Sequence, residues 1–190
     1  MEGPRLAPKP ESEWDDETRG LLARNAVGEG QVLNIFATLA HHPKLLKRWM
    51  VFGAHVLAKS TLPARDRELL ILRAGWRCRS AYEWGQHVVI ARRTGISDEE
   101  IARVALGADA AGWDPFDATL LRAADELHDD STLSDATWDS LGDRYDDQQR
   151  LDVIFAVGQY QLVSMALNAL RVERDDGIAD DPIVPFPTRD

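Results

Sequence analysis

The stretch RDRELLILRAGWRCRSAYEWGQHVVIARRTGISDEEI, Arg65–Ile101, decides the fold. In its first half Glu68, Ile71, Leu72 and Gly75 recur at helical spacing, an apolar stripe with one carboxylate in it. The second half reads as another helix, from about Arg79 to Thr94, with Gly95 as its stop. Only a few residues around Arg77 join the two. The pair should therefore pack as an antiparallel helical hairpin. Ser97 and Glu100, three apart, open the next helix as a capping box, and Gly107 ends it.

Inside this stretch, RCRSAYEWGQH (77–87) carries a thiol, a hydroxyl, a phenol, a carboxylate and an imidazole. A helix turns by about 100° per residue, which brings Ser80, Glu83 and His87 onto one face with Trp84, Ile90 and Ala91. Cys78 and Tyr82 fall on the opposite side if the helix includes Cys78. Glu68, from the facing helix, can approach the Ser80/Glu83/His87 face. A carboxylate on an apolar stripe must be paired, hydrogen-bonded or protonated. Burial and a second carboxylate both raise a carboxyl pKa. Two carboxylates and a histidine in an apolar cleft make a general acid–base set. The same residues also make a structural network that locks a hairpin, and spacing alone does not separate the two.

Outward from the hairpin the pattern stays helical. Segments near 15–25, 34–42 and 43–60 precede it, with Pro43 suited to a first helical turn. DPFDATLLRAADELHDD, SDATWDSLGDRY and the long DDQQRLDVIFAVGQYQLVSMALNALRV follow it. No alternating strand pattern occurs. The expectation is an all-α single domain of about eight or nine helices. Residues 1–12 read as an extended arm, 13–175 as the helical domain with its core motif at 43–107, and 176–190 as a proline-rich tail.

The chain has 190 residues, enough for a real core, and a net charge of -10 that argues against nucleic-acid binding. Cys78 is the only cysteine, so no internal disulfide and no CxxC motif exist. The start lacks the apolar region of a secretory signal, and no apolar run approaches a membrane span. A cytoplasmic protein without a membrane partner is expected.

The 65–101 stretch resembles the carboxymuconolactone decarboxylase family, which includes the alkylhydroperoxidase D branch. The resemblance rests on "RE" before an apolar run, then "YEW" with a histidine four residues after the Glu, then "A…G…EEI". It extends over roughly Asn34 to Arg171, through NIFATLAHHPKLLKRW upstream and AADELHDD and QYQLVSMALNAL downstream. It implies an alkylhydroperoxidase D-like helical bundle and a homo-oligomer, a dimer, trimer or hexamer, whose subunits contribute to each other's sites. The peroxidase branch of the family uses a Glu, a CxxC pair and a His four residues after the second Cys. Here Glu68 and His87 match the Glu and the His, while Ser80 and Glu83 stand at the two Cys positions. A dithiol peroxidase needs one thiolate to attack and a second thiol to resolve. Neither serine nor glutamate does this.

The decarboxylase branch carries the Glu-x-x-x-His that Glu83 and His87 reproduce. The resemblance therefore implies a cofactor-independent lyase or isomerase acting on a small carboxylated, lactone or carbonyl compound. Glu68, Glu83 and His87 would be catalytic. Ser80, Tyr82, Trp84, His55, Phe36 and Asn168 would contact substrate or brace the site. Two alternatives stand beside it: a hydroperoxide-reducing enzyme using Cys78, and a non-catalytic oligomeric protein that binds a small ligand. No metal or other cofactor is expected, although Glu68, Glu83 and His87 could together reach one ion. His41 and His42 should end a helix in solvent, His55 should pack in the core, and His128 should sit at a helix C-terminus.

Overall fold

The computed structural model describes residues 3–28, 30–178 and 186, and these form an all-α bundle without a named strand. Among them lie nine α-helices: α1 (Asp16–Ala23), α2 (Asn34–Leu39), α3 (Pro43–Ala58), α4 (Ala64–Arg77), α5 (Ala81–Arg93), α6 (Asp98–Leu106), α7 (Pro115–Asp129), α8 (Asp135–Gly142) and α9 (Asp147–Leu170). The capping chemistry explains most of the starts. Asp15, Ser97, Ser134 and Asp146 each accept from a backbone N–H of the first turn, and Ser97–Glu100 and Asp146–Gln149 complete capping boxes. Pro43 and Pro115 occupy first turns, where a missing N–H costs nothing.

α4 is the axis of the bundle. It packs against α5, α6, α7 and α9, and every residue from Leu69 to Gly75 is buried. A helix surrounded in this way needs apolar residues on all faces or polar ones that find partners. Arg73 is the polar case. Its guanidinium donates to both oxygens of Asp125 on α7, at 2.7 and 3.0 Å, and to the carbonyls of Val104 and Ala105 at the end of α6. Gly107 makes room for it: φ is 100°, and a Cβ there would lie 2.8 Å from Arg73 Nη2. One buried cation thus joins three helices and caps a helix C-terminus.

The α4–α5 hairpin forms as the sequence implies. The helices pack closely at Gly75, where a Cβ would sit in ordinary contact, 3.5 Å from Cβ of Glu83. The link differs from the expectation in one detail. Cys78 caps α4, Arg79 turns left-handed with φ 51°, and α5 starts at Ala81 with Ser80 as an extended N-cap. The left-handed residue breaks the helical phase between Cys78 and Tyr82.

α1, α2 and α3 form a thinner layer on α9, with small cores of their own around Leu22, Leu46 and Met50, and around Ile35, Tyr82 and Val163. The N-terminal arm is tied down by Arg5 N–H to the Leu170 carbonyl and Lys9 N–H to the Ala37 carbonyl. A single 3-10 turn, Glu11–Glu13, overlaps the end of the segment expected to be extended. Most of the expected tail, 179–185 and 187–190, lies outside the described residues. The part that is described crosses α5 at Gly85, where a Cβ would collide with Ile178 at 2.7 Å.

One helix among the described residues, α9, is long and apolar enough to cross a membrane. This differs from the expectation that no segment would qualify. Val153, Ala156, Val157, Tyr160 and Val163 pack inward, while Leu151, Phe155, Leu162 and Met165 stay at least half exposed.

Candidate functional site

The seam between the α2–α3 layer and helices α5 and α9 encloses a cavity of about 270 Å³. Its wall is largely apolar, with Phe36, Trp49, Met50, Leu57 and Val163 among the lining side chains. Glu83 and His87 enter this wall from α5, and Gln159 and Tyr160 from α9. Among the described residues, no lysine or arginine lines it.

Glu83 and His87 are one helical turn apart, so their side chains lie side by side. His87 Nε2 is 3.4 Å from Glu83 Oε2. The other ring nitrogen, Nδ1, is 2.7 Å from Oε2 of Glu68 on α4. All three side chains are buried, Glu68 completely. Glu68 does not line the cavity; it stands behind His87 and fixes the imidazole plane. Arg67 Nη2 lies 3.4 Å from the other Glu68 oxygen, which balances that carboxylate. The Tyr160 ring meets the imidazole edge-on with centroids 4.8 Å apart.

Burial drives the Glu83 carboxyl pKa up; the charge of Glu68 adds to this, and His87 opposes it. Burial pulls the imidazole of His87 down, but its hydrogen bond to Glu68 and the negative charges of Glu68 and Glu83 outweigh this and raise it. Arg67 and Glu68 cancel each other. Neutrality of the cluster then requires one proton between Glu83 and His87, held on either residue. That is the arrangement of a group able to deliver or accept a proton at the cavity wall.

Tyr82 also lines the cavity; α5 does not include Cys78, so the two do not share a helix face. Its hydroxyl donates to Asp175 and accepts from the backbone N–H of Ile35. Asp175 also accepts from Gln86 Nε2 at 2.7 Å and from the Asn34 backbone N–H at 2.7 Å. This C-terminal carboxylate clamps the start of α2 to α5. Sequence reasoning missed it, because an aspartate in a charged stretch (RVERDD, 171–176) carries no local signal of burial.

Several expected contacts lie elsewhere. Ser80 is fully buried at the N-cap of α5, its hydroxyl without a partner and outside the cavity lining. Trp84 points into the main core against Trp76, with centroids 5.0 Å apart. His55, expected in the core, has a side chain 54% exposed on the outer face of α3, 4.0 Å from Asp152. Asn168 donates to the Cys78 carbonyl at 2.9 Å and so braces the end of α4. Phe36 does line the cavity. Cys78 lies outside it, its Sγ 3.7 Å from Nδ1 of His128, and burial raises its thiol pKa. His41 and His42 are exposed before α3, where His42 Nδ1 accepts from the Leu45 N–H. Among the described residues, no cluster of three His, Cys, Asp or Glu side chains is arranged to hold a metal ion.

The all-α bundle around α4, with Glu83 and His87 in a seam cavity and Glu68 behind them, has the alkylhydroperoxidase D-like fold. Residues 43–126 match the model of the carboxymuconolactone decarboxylase family. The AhpD core of an uncharacterised peroxidase-related protein from Ralstonia eutropha JMP134 superposes with a TM-score of 0.81 at 20% identity, over 95% of this chain and 98% of that one. An uncharacterised peroxidase-related protein from Silicibacter sp. TM1040 gives 0.76 at 16% identity, over 94% and 92%. The debrominase Bmp8, as a cysteine-to-alanine variant in complex with 2,3,4-tribromopyrrole, gives 0.68 at 13% identity, over 90% and 91%. No curated protein sequence matches the chain significantly.

Proposed function

We propose that this chain is a cofactor-independent acid–base enzyme, a lyase or isomerase, acting on a small uncharged lactone or carbonyl compound. The observation that carries the reading is the buried Glu83–His87 pair, 3.4 Å apart in the wall of an apolar cavity, with Glu68 holding the imidazole from behind. In this mechanism the Glu83–His87 pair takes a proton from the carbon beside the carbonyl, and the C–H electron pair moves into an enolate. The same pair returns the proton to that enolate at the same or a conjugated carbon. Glu68 keeps the imidazole charged and oriented while the proton moves. The apolar wall lowers the local dielectric, which strengthens the electrostatic steps.

The family resemblance admits a carboxylated substrate as well as a lactone or carbonyl one. The cavity argues for an uncharged one, because among the described residues no lysine or arginine lines it and Glu83 would repel an anion. The debrominase of the same fold holds a small ring compound, which supports a ring-sized ligand here.

The peroxidase reading is weaker. Cys78 is the sole thiol, lies outside the cavity lining and has a raised pKa, so little thiolate forms at neutral pH. The assembly belongs to the same proposal. Leu151, Phe155, Gly158, Leu162 and Met165 follow a four-three-four-three spacing along the outer side of α9, the pattern of a helix that pairs with another. A second copy of the chain is the occupant with a matching stripe.

The test is hydrogen–deuterium exchange in D2O at the carbon beside the carbonyl, followed by NMR over a panel of uncharged butenolides and cyclic ketones. Exchange by the wild type and its loss in His87→Ala is the expected result. Exchange that survives in His87→Ala, or none across the panel, removes the acid–base reading.

A further inference from the structure

Gln159 lies at the middle of α9 and is only 4% exposed, yet its Oε1 has no hydrogen-bond partner. A buried amide in this state is costly, and an apolar residue would serve packing better. Its surroundings show what it is near. Gln159 lines the same cavity as Glu83 and His87, and its neighbour Tyr160 touches the imidazole. The carboxamide lies against Gly53 on α3: a Cβ there would stand 3.5 Å from Gln159 Nε2, in ordinary contact. The other amides of the wall are committed. Gln86 donates to Asp175, and Asn25 donates to the Leu21 carbonyl.

From this we infer that Gln159 is the specificity-determining residue of the site, and that its carboxamide holds the polar end of a neutral, otherwise apolar, ring-sized ligand. The inference rests on the cavity being the ligand site, as in the function proposed above, but not on the proton chemistry. The carboxamide has both a donor and an acceptor, so a hydroxyl or carbonyl of the ligand satisfies it. It carries no charge, so it does not offset the cost of a buried carboxylate. The volume fits: a cavity of about 150 Å³ accepts benzene, and this one is larger by room for a substituent. Trp49 and Phe36 supply flat apolar wall for the ring. Gln159 is thus a positioning residue that turns the ring so that one edge faces Glu83 and His87.

The test uses binding alone. Phenol, toluene and benzoate are titrated into the full chain, with chemical-shift changes of the cavity residues as the signal. Phenol is expected to bind about five- to tenfold tighter than toluene, the worth of one neutral hydrogen bond. Benzoate is expected to bind weakest of the three. Gln159→Met, which keeps length and volume, is expected to erase the phenol preference while leaving toluene affinity unchanged and thermal stability equal or higher. Gln159→Leu serves the same comparison if the methionine variant does not fold. Equal binding of phenol and toluene by the wild type overturns the inference. So does a phenol preference that persists in either variant, tighter binding of benzoate, or no binding of phenol and toluene at millimolar concentration. The His87→Ala variant should keep the phenol preference. A failure of the acid–base reading therefore leaves this result standing, and the reverse also holds.

Discussion

Oε2 of Glu68 lies 2.7 Å from Nδ1 of His87, and the contact crosses the α4–α5 hairpin at a point where both side chains are buried. The hairpin therefore brings together two residues 19 apart in sequence and leaves Nε2 of the same ring facing Glu83. This contact orders the proposed chemistry, because the second ring nitrogen of His87 is set by what the first one bonds.

Glu68→Gln is expected to lower activity by roughly 10²-fold and to move the basic limb of the pH–rate profile to lower pH, since the charge that raises His87 is gone. His87→Ala is expected to lose about 10²- to 10⁴-fold, and the helical fold should persist by circular dichroism. A Glu68→Gln profile superimposable on the wild type would show that Glu68 does not set the proton affinity of His87.

Stability should fall as pH rises. The folded pKa values of Glu83 and His87 both lie above their ordinary values of 4.5 and 6.5. The folded state thus binds more protons than the unfolded one. The stabilisation from Glu83 is complete below pH 4.5, that from His87 below pH 6.5, and each is lost as pH climbs through the raised folded value. Urea midpoints measured between pH 6 and 9 should decline, and Glu83→Gln should flatten the decline. A midpoint that rises over this interval contradicts the assignment.

Cys78→Ser should leave turnover and fold intact, because the thiol lies outside the cavity lining with a raised pKa. Peroxide consumption with a thiol reductant is the control. Cysteine-dependent peroxide turnover would place the chemistry at the Cys78–His128 contact instead.

Asp175→Ala should release Tyr82, Gln86 and the start of α2 together. Three lost hydrogen bonds to one buried carboxylate are worth about 2–4 kcal/mol after compensation by water. Amide exchange should rise at Asn34 and Ile35 before it rises in α4. Uniform protection across both helices would mean that the clamp contributes nothing local.

Phe155→Glu on the outer stripe of α9 should dissociate the proposed assembly, while leaving the α4 core folded. Light scattering would show the monomer mass. A wild type that is already monomeric at tens of micromolar removes the second copy as the partner of this stripe.

The sequence carried the helices because their signals are local. The capping residues Ser97 and Asp146 and the prolines at 43 and 115 act within one turn, so the chain reads them without knowing its partners. The pairing of Glu83 with His87 follows from helical spacing, and the approach of Glu68 from a short hairpin link. Tertiary structure decided the rest. Arg79 takes a left-handed backbone and resets the phase between Cys78 and Tyr82, which no propensity demands. Ser80, Trp84 and Asn168 share sequence neighbourhoods with the site but lie outside the cavity lining, because helix packing chooses which side of a buried helix meets the open space. Asp175 and Gln159 reach the site from segments about 90 and 70 residues beyond it, and only close packing of distant elements brings their polar atoms there.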